Sequence, residues 1–395
     1  MRVTHDESGA DVAPGKAAGA MASTSRGTDQ GPPRPRRGCR VVTTSLTARL
    51  LLANQLRSLR EIDWTVVSGD AYDDPPGGAA VKVIPIRREF ALADLRSFVQ
   101  LARYLRHERF DFVQTHTPKA SFLGLPAARM AGSHAIYTIH GALYFAGNAR
   151  MANLLGWCFE RWCCAWADRV LVQSREDERA LPVARICSRA KLGYLGNGIV
   201  MDRFVGPTPA PAMRSSLPIV MMVSRLVAEK GCADFLGLAR SLAGQARFVH
   251  VGPAEHDQRD ALGEEEVAEA RHSGTVDFVG SVEDVRPYLA SATLVVLPSY
   301  REGIPRVAME AAAMGRPVVA YDIRGVREVI DPESGLLAPR GDRRELANVV
   351  AGLLKDPDRC SALGDRCRRW VVPRFSEDGV IDRLRAAYAV VGEAA

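Results

Sequence analysis

From about residue 39 onward the chain alternates short, β-branched apolar runs with longer stretches whose apolar residues recur every three or four positions. Strand followed by helix, repeated, predicts parallel sheets covered by helices on both faces. In the first half the runs at 39–43, 64–68, 81–86, 112–115, 135–139 and 170–173 read as strands, and in the second those at 219–223, 248–251, 276–280, 293–297 and 318–321. Between them lie amphipathic stretches. One spans 48–60, and another spans 92–107 with an apolar stripe at Leu95, Phe98, Val99, Ala102 and Leu105. The proline-rich segment 207–218 is predicted to link the two halves, giving one domain over 39–206 and another over 219–374, with a last helix within 375–395. Residues 1–38 carry almost no large apolar side chain, so they are predicted to form a disordered tail or to precede the true translation start. They lack the apolar centre of a secretion signal.

Composition supports two cores and little else. The 395 residues are 47% hydrophobic and 25% charged, and the net charge of +6 is spread along the chain, which suits anionic nucleotides or an anionic membrane surface better than nucleic acid. Eight cysteines without a C-x-x-C pair, three of them (Cys158, Cys163, Cys164) in one helical stretch, read as reduced, buried thiols of a cytoplasmic protein. The longest uncharged run, 130–149, contains three glycines and two histidines and is no membrane span. Asp356-Pro357-Asp358 stands where a late helix begins and reads as a cap rather than a metal pair.

The chemistry concentrates in 293–321, which spells strand, loop, helix, strand. Pro305 is placed to open the helix, and Gly315 with Pro317 closes it. In such a unit the amides of Gly303 and Ile304 face the carboxyl edge of the sheet, where anionic ligands bind. Glu302 lies in the loop and Glu310 lies within an otherwise apolar helix, so that carboxylate needs a partner or a ligand. Acids beside a phosphate site suit hydroxyls of ribose or sugar. Arg225 at a strand end and Lys230 just ahead of a helix can converge on a diphosphate. Gly252 and Gly280 end strands where backbone can approach a base, and Val282 follows in the next helix-capping turn. In the first half His116 and His140 each end an apolar strand, one followed by Thr117-Pro118-Lys119 and the other by Gly141. Residues 142–169 interleave aromatic residues with Arg150, Arg161 and Arg169, a pattern shared by interfacial helices and by helices packed on their own sheet.

Glu302 with Glu310 eight positions on resembles the E-x7-E signature of family 4 glycosyltransferases. Arg225 through Gly231 resembles that family's R-x4-K-G pattern, and His116 to Lys119 and His140-Gly141 resemble its His-Thr-Pro-Lys and His-Gly motifs. The resemblance runs in order over roughly 39–390 and implies the GT-B fold: α/β, two Rossmann-like doubly wound domains facing a cleft, with the C-terminal helix crossing back. It implies transfer of a hexose-type sugar, with retention, from a nucleoside diphosphate sugar held by the second domain to an acceptor held by the first. It places Glu310 on the ribose and Glu302 on the sugar, and Arg225, Lys230 and the Gly303 amides on the diphosphate, with no metal and no cofactor. His140 would approach the donor sugar, and His116 and Lys119 the acceptor or its diphosphate. The loop holding Thr44 has Thr43-Thr44-Ser45 where many relatives have Gly-Gly, as in a subgroup acting on lipid-linked oligosaccharides. Such enzymes extend undecaprenyl-diphosphate-linked glycans for capsule, exopolysaccharide or protein glycosylation, at the inner face of the cytoplasmic membrane. A nucleotide-sugar epimerase of the same fold and a degenerate scaffold remain alternatives.

Overall fold

The computed structural model describes residues 35–71, 74–86, 91–145, 147–207, 209–254 and 261–393, so the predicted tail, up to residue 34, lies outside it. Seven strands build the first sheet: β1 (Arg36–Val41), β2 (Ile62–Ser68), β3 (Ala80–Val83), β4 (Phe112–Thr115), β5 (His134–Ile139), β6 (Arg169–Val172) and β7 (Leu192–Tyr194). Every pairing is parallel, in the order β3-β2-β1-β4-β5-β6-β7. A second parallel sheet follows, from β8 (Ile219–Val223), β9 (Arg247–Val251), β10 (Asp277–Gly280), β11 (Leu294–Leu297), β12 (Val318–Asp322) and β13 (Leu337–Pro339), in the order β10-β9-β8-β11-β12-β13. In both sheets the strand order reverses beside the first strand, which opens a crevice at the carboxyl edge. The apolar runs became strands because both faces of each sheet are covered. Two three-residue strands, β7 and β13, have no such run and were missed.

The first strand starts at Arg36, ahead of the expected Cys39. The helix expected over 48–60 is broken into Ser45–Thr47, a π-turn at Ala48–Leu52, and Ala53–Ser58. Residues 207–218 carry no regular element among those described, and Asp356 caps its helix by accepting from the Arg359 amide at 3.0 Å. All eight cysteines are free thiols, but Cys158 is exposed on its helix, against expectation. No helix among the described residues is long and apolar enough to cross a membrane.

The helix Ala93–Glu108 departs more tellingly from its predicted stripe. Its buried face is Ser97, Leu101 and Leu105, while Leu95 is 72% exposed and Val99 37%. The apolar band is wider than the face that rests on the sheet and the helix Pro118–Met130, so one edge of it reaches solvent.

The last helix, Glu377–Glu393, returns to the first lobe and completes its core. Tyr388 stacks on Phe112 with ring centroids 4.6 Å apart and donates to Gln114 Oε1 at 2.5 Å. Arg40, 0% exposed on β1, donates to the Tyr388 hydroxyl at 3.1 Å and to Gln55 at 2.9 Å, with its guanidinium 4.5 Å above Trp64. A cation so deeply buried depends on these partners.

Candidate active site

Parallel pairing of Thr115 with Tyr137 sets the ends of β4 and β5 at one edge. There His116 Nδ1 and His140 Nε2 come within 3.2 Å, and His140 also bonds Gln173, just past β6. His116 is buried, and its Nε2 finds no partner among the described residues. Burial, with the nearby Arg40 charge, lowers both: His116 well below the ordinary range and His140 to about 4. At neutral pH the pair is uncharged and can accept hydrogen bonds from hydroxyls.

Across the crevice the two lobes meet backbone to backbone. A Cβ on Gly303 would stand 1.8 Å from the His140 carbonyl oxygen, and one on Gly141 would stand 3.1 Å from the Gly303 Cα. Gly141 also has φ +150°, a conformation other residues avoid. The two glycines singled out in separate motifs thus face each other. Asn197 Nδ2 donates to the Ile304 carbonyl at 3.0 Å, which adds a second tie.

The main polar clamp between the lobes is Arg324. It donates to Asp177 Oδ1 at 2.9 Å and to the Ala142 and Tyr144 carbonyls at 2.8 and 3.3 Å, with its guanidinium 5.0 Å from the Phe145 ring centre. Ser174 with Asp177 three residues on reads as a capping box; Ser174 does cap the helix Arg175–Val183, but the Asp177 side chain serves this clamp instead of reaching back. Burial raises the Asp177 carboxyl despite Arg324.

On the donor side Lys230 Nζ lies 2.7 Å from Glu302 Oε1, both side chains largely buried. The loop carrying Glu302 is anchored by Asp234, which is 1% exposed and accepts from Tyr300, Tyr321 and Arg343 at 2.6, 2.7 and 2.6 Å. Glu310, with 17% of its side chain exposed, has Arg306 at 4.0 Å. Burial raises its carboxyl, and Arg306 and Arg203 offset this only in part. A carboxylate left underpaired at a crevice has capacity for ligand hydroxyls. Arg225 stands half-buried in the turn after β8, and its carbonyl accepts from the Val227 amide.

Other predicted site residues are placed differently. Lys119 is buried and pairs with Asp94 at 2.7 Å on the neighbouring helix, so a phosphate reaches it only if that pair opens. Gly252 is demanded by its own fold, since a Cβ there would lie 1.8 Å from the Ser224 carbonyl, whereas Gly280 borders open space. Thr44 caps Ser45–Thr47, Pro305 sits at the N-cap of Arg306–Ala313 rather than inside it, and Ile304 and Val282 pack on the second core. Gln173, Asp177 and Asp234 were not legible as site residues, because Gln173 and Asp177 belong to an ordinary polar helix start and Asp234 is a lone polar position in an amphipathic helix.

Residues 50–203 match the family model described as Glycosyltransferase Family 4, and 217–356 match that described as Glycosyl transferases group 1. The N,N'-diacetylbacillosaminyl-diphospho-undecaprenol alpha-1,3-N-acetylgalactosaminyltransferase of Campylobacter jejuni is 25% identical over 337 residues, covering 78% of this chain and 86% of that one. The UDP-Gal:alpha-D-GlcNAc-diphosphoundecaprenol alpha-1,3-galactosyltransferase of Escherichia coli is 24% identical over 317 residues, 75% of this chain and 80% of that one. Among solved structures, Anabaena HepE in complex with UDP and glucose superposes with a TM-score of 0.76 at 19% identity, over 90% of this chain and 100% of that one. The expected GT-B architecture, two Rossmann-like lobes about a cleft, is the fold of this chain.

Proposed function

Because the chain belongs to the glycosyltransferases, with a family 4 domain in its first lobe and a group 1 domain in its second, we propose that it moves a hexose-type sugar from a UDP-sugar to a glycan growing on an isoprenoid diphosphate, with retention at the anomeric carbon. The observation that carries this reading is the meeting of Lys230, Glu302 and Gly303 on one side of the crevice with His140 across it. The relatives from C. jejuni and E. coli, whose acceptors are diphospho-undecaprenol glycans, support the acceptor class.

In this reading the donor lies on the second lobe. Glu310 accepts from the ribose hydroxyls, and Glu302, oriented by Lys230, accepts from the donor sugar. Arg225, Lys230 and the N-terminus of Arg306–Ala313 stabilise charge on the departing diphosphate, the electrostatic task a metal performs in other transferases. The acceptor hydroxyl attacks from the face the diphosphate leaves, and a phosphate oxygen takes its proton. No protein nucleophile is required. His140, neutral at working pH, holds a donor hydroxyl, and His116 orients His140. The helix Arg150–Trp166 rests at the inner face of the cytoplasmic membrane, consistent with Met151, Leu154 and Leu155 standing exposed between Arg150 and Arg161.

The test is transfer of radiolabel from UDP- and GDP-sugars into the organic phase of bacterial membranes, with Arg225→Ala as control. Losing the Arg225 fork costs about 2–4 kcal/mol of transition-state stabilisation, a fall in rate of roughly a hundredfold or more. Label that enters lipid equally well without Arg225 refutes the assignment. A sugar isomer formed without acceptor points to an epimerase instead.

A further inference from the structure

Helices Ala93–Glu108, Pro118–Met130 and Arg150–Trp166 lie side by side on the outer face of the first sheet, and between them runs a slot of about 370 Å³. Its walls include Leu95, Phe98, Phe122, Pro126, Met130 and Trp162. This is where the apolar band of Ala93–Glu108 overruns the core. Met130 is 60% exposed and Trp162 42%, and the Trp162 ring stacks on Phe122 at 5.6 Å. A water-facing slot with apolar walls is the kind of surface that takes an apolar ligand.

Two further observations say what fills it. The first is position. Asp94, the one charged residue of the lining, is neutralised by Lys119, and Lys119 lies in the first turn of the helix that leaves the His116 edge of the crevice. From that end the slot descends along the helix from Phe122 to Met130, roughly 12 Å at 1.5 Å per residue. The second is charge. The exposed ionised side chains of the three helices are all arginines (Arg96, Arg103, Arg106, Arg129, Arg150 and Arg161), while Asp94, Glu108 and Glu160 are half-buried or buried. Helices whose exposed charge is of one sign, even with Arg129 paired to Asp168, repel a second copy of themselves and attract an anionic amphiphile.

We propose that this slot takes the first units of the isoprenoid chain of the acceptor, with the diphosphate at the Lys119 end and the tail running toward Met130. The proposal rests on the lipid-linked acceptor reading. Ring faces, proline and methionine give a soft, polarizable wall that fits a branched, unsaturated chain.

The test uses the full chain without detergent and two sugar-diphosphate acceptors, one bearing a short isoprenyl tail and one bearing none. The tailed acceptor should show a KM at least tenfold lower. The double variant Leu95→Gln with Met130→Gln, both exposed positions and neither changing the charge, should erase that preference while leaving the KM of the tail-less acceptor unchanged. An isoprenyl diphosphate carrying a benzophenone should label helices 93–108 and 118–130 of the wild-type chain. Equal KM values for the two acceptors, or a preference that survives the double variant, overturns the proposal. So does label that falls elsewhere, and so does label that phospholipid vesicles free of isoprenoid abolish, which assigns the slot to bilayer acyl chains. Labelling within the slot without transfer to either acceptor upholds the slot and overturns the proposed function.

Discussion

Replacing Gly303 by Ala probes the contact between the lobes with a single methyl group. The added Cβ would stand 1.8 Å from the His140 carbonyl oxygen, short of van der Waals contact by roughly 1.5 Å. The obstructing atom is backbone at the end of β5, so no rotamer change relieves it. The loop before Arg306–Ala313 is pinned from behind as well, because a Cβ on Gly325 would already lie 1.4 Å from the Gly303 carbonyl oxygen. The remaining adjustment is separation of the lobes by about the missing distance. Misplacing reacting groups by about 1 Å costs on the order of a hundredfold in rate. Gly303→Ala should therefore lower kcat roughly a hundredfold while the chain keeps its affinity for UDP within a few fold. Calorimetric titration of UDP and steady-state transfer separate the two effects. Transfer within threefold of wild type would mean that the reaction does not pass through the closed contact, and the assignment of His140 to the donor sugar would fall with it.

Arg324→Met leaves the buried Asp177 without its cation and should cost about 3–5 kcal/mol in urea unfolding, most of it recovered by adding Asp177→Asn; equal losses in the single and double variants would refute the pairing. Glu310→Ala should weaken UDP binding at least tenfold, about the worth of a charged hydrogen bond, with no loss in melting temperature; unchanged affinity refutes the ribose assignment. His250 is buried, bonds Ser224 at 3.3 Å, and is held to about 4 by burial. Because the unfolded chain takes up this proton from about pH 6.5 and the native chain only near 4, stability present above 6.5 is lost as pH falls through that window, by roughly 1.4 kcal/mol per unit. His250→Leu should flatten that slope between pH 6.5 and 4, and an unaltered slope would assign the acid sensitivity to other groups.

The strands were legible because buried parallel strands write themselves as uninterrupted β-branched runs; Glu310 stood out because a charge in an apolar helix is costly, and Arg225 and Lys230 only through their order with Glu302 and Glu310. What the sequence concealed depends on pairings between distant segments. Asp177 has the local signature of a capping box, and only the arrival of Arg324 from the other lobe changes its task. Lys119 reads as a phosphate ligand until Asp94 is placed beside it. Gly252 and Gly303 look alike in sequence, but one is crowded by its own sheet and the other by the opposite lobe. The stripe on Ala93–Glu108 has the period of a core face, and periodicity cannot say how much of an apolar band the neighbouring helix covers.

The return of Glu377–Glu393 to the first lobe sets an order of assembly. A ribosome emits β1 to β7 long before the residues that cover one side of that sheet, so Arg40, Trp64 and Phe112 must wait, partly uncovered, while the whole second lobe is made. The second sheet and its helices are complete in the nascent chain by about residue 375 and can fold first, inverting the usual N-to-C sequence. A chain cut just before Glu377 would keep every residue assigned here to the donor and still leave its acceptor lobe open to aggregation. Helix Glu377–Glu393 is thus the element whose arrival closes the first lobe's core.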